Sequence, residues 1–116
     1  MDSNNKIIFV ILPYRDDNTE VTEQRVALAE KYCAKLMMRG FFPVCTTSFG
    51  HYLVKRHDVP KSLAYWKDYC KAMIQISKEV HLLKLDGWDT SEGVTEERKL
   101  IADAERKLIE IEPEDI

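Results

Sequence analysis

Residues 6–12 read Lys-Ile-Ile-Phe-Val-Ile-Leu, a run that is apolar on both alternating faces and rich in β-branched side chains. A half-buried strand would alternate apolar with polar. A run without alternation marks a strand covered on both sides, the centre of a parallel sheet between helices. Pro13 ends the run, because proline lacks the N–H that a continuing ladder needs. Tyr14-Arg15-Asp16-Asp17-Asn18 then forms a loop at the carboxyl end of the first strand, where ligands gather in open α/β sheets.

The same logic extends outward. Residues 19–39 predict a first helix whose buried stripe is Val26, Ala29, Cys33, Leu36 and Met37, stopped by Gly40. Residues 41–47 (FFPVCTT) predict the second strand, with Pro43 marking an edge or an irregular start. Residues 48–59 (SFGHYLVKRHDV) read as a long polar loop. Pro60 starts a second helix, with Trp66, Tyr69, Cys70, Met73, Ile74 and Ser77 on one face. Residues 79–85 (EVHLLKL) give the third strand, 91–107 the third helix, and 107–112 a closing fourth strand before Pro113. The polar start, residues 1–5, is expected to fray. The order β-α-β-α-β-α-(β) predicts one domain over residues 1–116. Its fold class is a small Rossmann-like three-layer α/β/α domain with a parallel sheet of four to five strands.

Bulk properties narrow the function. A chain of 116 residues suits one domain, and 45% hydrophobic with 32% charged residues is expected of a soluble globular protein. The net charge of −3 gives no general nucleic-acid footprint. No apolar run is long enough to cross a bilayer. Three scattered cysteines (Cys33, Cys45, Cys70) without CxxC spacing, and no signal peptide, predict a reducing, cytoplasmic setting. The fingerprints GxGxxG and GxxxxGK[ST] are absent. His51, His57 and His81 fit no ligand spacing, so neither a metal nor another cofactor is expected.

The chemistry is expected at residues 85–97, LDGWDTSEGVTEE. A strand feeds a glycine-containing turn and then a helix start, a geometry that presents backbone N–H groups to an anion. On a helical wheel with Val94 at zero, Ile101 falls near about −20° and Ala104 near about −80°. Glu97 falls near about −60°, inside that stripe, while Glu96 falls near about 200°, toward solvent. Glu97 is therefore an inward carboxylate, which needs either an internal partner or a polar cleft. Gly93, one turn earlier on nearly the same face, leaves space above it. Ser91 suits the helix N-cap, where it holds the amide of Val94 or donates to a phosphate.

LDGWDTSEGVTEE resembles the signature GW-x-x-S-x-G-x-x-x-E of nucleoside 2-deoxyribosyltransferase-like proteins, closest to a small bacterial and phage branch. Pro13-Tyr14, Val21, Arg25, Gly40, Gly50-His51 and Tyr65-Trp66 recur at similar places, so the resemblance covers residues 6–104. It implies that Glu97 is a nucleophile attacking C1′ of a nucleoside or nucleotide and displacing the base through a covalent glycosyl-enzyme. Water then gives hydrolysis and a second base gives transfer. Ser91 would contact a 5′-phosphate, which leans the reading toward a nucleoside monophosphate and hydrolysis. Tyr14 would lie near the sugar and Glu97. The resemblance also implies an Asp that protonates the leaving base. By spacing, that place falls near Lys71, and Asp68 lies one turn earlier. It further implies homo-oligomers that complete the pocket from a neighbouring subunit. The alternative is a nucleotide-binding or sensing module on the same fold, without turnover.

Other residues carry two readings each. His51 lines the pocket or is a plain loop histidine. Trp88 stacks on a base or covers the turn. Arg15 and Asp16 contact substrate or are ordinary loop charges. Arg25 is a solvated or salt-bridged helix residue, and Lys55-Arg56-His57 a solvated patch rather than a nucleic-acid site.

Overall fold

The structure is a computed structural model that describes residues 4–116; residues 1–3 of the polar start lie outside the described residues. Its centre is β1 (Ile7–Ile11), within the unalternating apolar run of residues 6–12. It pairs in parallel with β2 (Phe42–Val44) on one side and β3 (Glu79–Leu83) on the other, and β4 (Lys107–Ile111) pairs in parallel with β3. The sheet order is β2-β1-β3-β4.

The two faces of β1 feed two separate cores. Ile8, Val10 and Leu12 pack with Ala29, Tyr32 and Leu36 of α1 (Thr19–Met38) and with Leu83 and Leu85. Phe9 and Ile11 pack with Cys70 and Ile74 of α3 (Leu63–Ile76) and Val94 and Ile101 of α4 (Glu92–Asp103). A strand with apolar side chains on both faces buries both only between two helical layers. The molecule is accordingly a three-layer α/β/α Rossmann-like domain. No helix among the described residues is long and apolar enough to cross a membrane.

The expected polar loop is the main correction. Residues 48–59 do not form a loop: α2 spans Thr46–His57. Its polar side chains hid the helical period, because the buried face carries Thr46, Gly50 and His51 rather than aliphatic residues. Lys55, Arg56 and His57 fill the last turn, where cations suit the helix dipole, and Asp58 ends it at φ 56°. The second strand is correspondingly shorter than residues 41–47, since Cys45 is already the N-cap of α2. Pro43 sits on an edge strand, where its missing N–H costs little.

Other boundaries moved for local reasons. The second expected helix starts at Leu63 rather than Pro60, because Ser62 caps it by accepting from Tyr65 N. The last helix stops at Asp103 rather than 107, since Glu105 turns the chain at φ 55° into β4. Met37, expected in the buried stripe, is 64% exposed, and Tyr69 is also on the surface. Tyr32 occupies the inward position on α1 instead, its hydroxyl 2.6 Å from His81 Nδ1.

Candidate active site

A cleft of about 900 Å³ opens at the carboxyl ends of β1 and β3. The loop after β1 supplies Tyr14 and Arg15, α2 supplies Thr46, Gly50 and His51, α3 supplies Trp66 and Cys70, and α4 contributes its first turns. Strand ends leave the sheet here while helices begin, so backbone donors and polar side chains face the same space.

The start of α4 has the expected geometry. Ser91 is the N-cap, and its Oγ accepts from Val94 N at 3.2 Å. That leaves the hydroxyl proton free to donate, next to the amides of Glu92 and Gly93, which lie ahead of the first intrahelical donor, Thr95 N. A Cβ on Gly93 would meet nothing closer than Leu63 Cδ2 at 3.7 Å and Ser91 Oγ at 3.8 Å, so the space beside it is open.

One turn on, Glu97 lines the cleft while its carboxyl is enclosed by protein. Its hydrogen-bond donor is the thiol of Cys70, 3.7 Å from Oε2, and Thr46 Oγ1 lies 3.6 Å from the same sulfur. A thiol is a weak donor and compensates little for lost hydration. Burial therefore pushes the Glu97 carboxyl up to about 8; Cys45 adds to the rise and the Cys70 thiol opposes it. The same carboxyl and the same burial push the Cys70 thiol up to about 12, burial being the larger cause.

On the opposite wall, Tyr14 Oη lies 2.5 Å from His51 Nδ1, and His51 Nε2 lies 3.1 Å from Glu23 Oε1. Lys55 Nζ also reaches Glu23, at 3.1 Å. Burial raises the Tyr14 hydroxyl, with Glu23 adding and Arg15 opposing. Arg25, from α1, fixes the loops: its guanidinium donates to the carbonyls of Tyr14 (3.3 Å), Arg15 (3.1 Å) and Asp86 (2.9 Å). Arg15 in turn donates to the carbonyl of Lys61.

Tyr14, Arg15, Asp16, Arg25, His51, Ser91, Gly93 and Glu97, all singled out from the sequence, thus share one cleft. Two do not. Asp68 is exposed on α3 and does not line the cleft. Trp88 is half-buried against the core under α4, with Lys84 Nζ 5.0 Å and Arg98 Cζ 5.8 Å from its ring centroid, so it covers the turn. The hydroxyl of Tyr14 bonds His51, not Glu97.

Sequence reading missed Glu23, Thr46, Cys70 and Trp66 as site residues. Arg25, read as a solvated or salt-bridged helix residue, instead ties the loops together through backbone carbonyls. Glu23 and Arg25 lie two apart on α1, a spacing that looks like solvated charge until α2 is known to be a helix packed beside it. Among the described residues, no cluster of three or more His, Cys, Asp or Glu is placed to hold a metal ion.

The fold and the cleft define the class: a small Rossmann-like α/β/α domain that brings a helix start and a desolvated carboxyl together at the carboxyl ends of its strands. Within that class the family is defined: residues 6–112 match the family described as domain of unknown function DUF1937, and the chain belongs to it. No curated protein matches the chain.

Proposed function

We propose that this protein cleaves the N-glycosidic bond of a nucleoside 5′-monophosphate or nucleoside, with Glu97 as nucleophile. The carrying observation is the Glu97 carboxyl, desolvated on the cleft floor with only a thiol to hold it, one turn from the open Gly93. An ionised carboxylate stripped of strong hydrogen bonds is an effective nucleophile toward an electrophilic carbon. Ser91 and the amides at the α4 start would take the phosphate, and Arg15, Lys61 and Lys67 add cations to the same cleft. The carboxyl must lose its proton to act, so turnover by the free protein rises with pH through about 8.

The test is free-base release when pure protein is incubated with a panel of nucleotides and nucleosides, separated by liquid chromatography. Glu97→Gln should lose turnover by ~10³-fold or more while still binding nucleotide. Full activity in that variant ends the proposal.

One observation favours a second reading, a nucleotide-binding module without turnover: the place of the implied acid falls near Lys71, and Asp68, one turn earlier, faces solvent. Binding by calorimetry with no base released from any member of the panel would select it. Self-association belongs to the same proposal. Phe49, Tyr65 and Tyr69 are exposed on α2 and α3 beside Trp66 at the cleft, and light scattering of the purified chain tests it.

A further inference from the structure

A base leaving C1′ takes the bond's electron pair and needs a proton. Asp68 is not in the cleft to give one. Tyr14, His51 and Glu23, by contrast, form a continuous hydrogen-bonded chain of titratable groups from the cleft to the outer surface. Tyr14 and His51 line the cleft, and His51 is itself buried. Glu23 opens on the other side to a shallow depression shared with Gln24 and Lys55.

We infer that the Tyr14 hydroxyl is the general acid of this cleft, recharged by His51, with Glu23 holding the imidazole in register. This rests on the glycosidase reading above. Lys55 and His51 hold the Glu23 carboxyl below its usual range, so Glu23 is an acceptor and Nε2 carries a proton toward it. In neutral imidazole, Nδ1 accepts the Tyr14 proton and the hydroxyl offers nothing to the cleft. In imidazolium, Nδ1–H donates to Tyr14 Oη and turns the hydroxyl's own proton outward. The other groups facing His51 are Lys55 and the Tyr52 ring from α2 and Tyr14 from the β1 loop; Arg15, Lys61 and Lys67 share the cleft.

The step balances. A Glu97 oxygen bonds C1′ as the C1′–N bond breaks, and its electron pair leaves with the base. The base takes the Tyr14 proton, and Tyr14 takes the Nδ1 proton, leaving His51 neutral. Water then attacks C1′, the C1′–O bond to Glu97 breaks, and the water's proton returns through Tyr14 to Nδ1. The sum is nucleotide plus water giving sugar phosphate plus free base.

The fold contains its own control. Tyr32 Oη lies 2.6 Å from His81 Nδ1, and His81 Nε2 lies 3.0 Å from Glu79 Oε1. These three make the same chain of groups, but none lines the cleft. The difference between the two chains is access, not chemistry.

The experiment compares two leaving groups on one sugar phosphate: a natural base, which needs a proton, and p-nitrophenolate, which does not. Y14F and H51Q should lose ~10²-fold or more in kcat/KM on the base substrate and ~10-fold or less on the p-nitrophenyl one. E23Q should show the same pattern more weakly. Glu23 is on the surface, so E23Q reports even where substitution of the buried His51 disturbs folding. E97Q should lose both substrates alike, and Y32F should leave their ratio unchanged. Equal losses on both substrates in Y14F and E23Q overturn the acid and leave the nucleophile standing. A wild type that cleaves neither substrate overturns the glycosidase reading, and the acid with it.

Discussion

The thiol of Cys70 on α3 lies 3.7 Å from Oε2 of Glu97 on α4, and no stronger donor reaches that carboxyl among the described residues. The contact joins two helices across the cleft floor while leaving the carboxyl short of solvation. If Glu97 is the nucleophile proposed above, function and stability are opposed at this point, because a well-satisfied carboxylate there would be a poor nucleophile.

The opposition has a sign that can be measured. The ordinary carboxyl ionises near 4.5, and the folded Glu97 near 8. Between those values the native state keeps a proton that the unfolded chain has lost, so stability falls as pH rises through the window. Glu97→Gln removes the titration. Urea unfolding should show it more stable than wild type by about 2–4 kcal/mol near pH 8, with the gain vanishing near pH 4. Parallel curves for the two proteins across that range would mean the carboxyl titrates normally.

Gly93→Ala separates binding from folding. The added methyl meets only ordinary contacts, with Leu63 and Ser91, and Gly to Ala favours a helix by up to about 1 kcal/mol. The expected result is an unchanged or slightly raised Tm. The methyl nevertheless occupies the space above Glu97, so nucleotide affinity measured by calorimetry should drop about tenfold or more. Unaltered affinity would place the ligand elsewhere in the cleft.

Gly50→Ala should behave in the opposite way. A Cβ there would sit 2.9 Å from both Cζ2 and Cη2 of Trp66, inside contact distance. The indole cannot easily yield, because Nε1 donates to the Pro60 carbonyl at 2.8 Å. Overpacking of about 1–3 kcal/mol outweighs the gain in helix propensity, so Tm should fall and Trp fluorescence should shift.

Arg25→Met tests the loop staple. It removes donors to the carbonyls of Tyr14, Arg15 and Asp86 while keeping the aliphatic stem. Hydrogen bonds from a charged group, partly open to water here, predict a loss of about 2–3 kcal/mol. Hydrogen exchange should accelerate at residues 14–16 and 86–88 ahead of the sheet. Exchange that rises uniformly would mark a general loss of stability instead.

Much of this molecule was legible in its residues. The unalternating run at residues 6–12 dictated a central parallel strand, since only two helical layers can cover both faces. The helical period also placed Glu97 inward beside Val94 and Ile101, distinguished it from Glu96, and set Gly93 one turn above it. Those are properties of one element at a time, carried by local spacing.

Only the tertiary structure decided what faces that carboxyl. Residues 48–57 hide a helix because its buried side is polar, and once it folds, His51 reaches Tyr14 and Glu23 from elements 37 and 28 residues away. The rise of Glu97 toward about 8 belongs to its surroundings, set by burial and by Cys45, with the Cys70 thiol, 27 residues distant in sequence, opposing it. Burial and pairing are sums over neighbours distant in sequence, so a periodic pattern can say which way Glu97 points but not what it meets there.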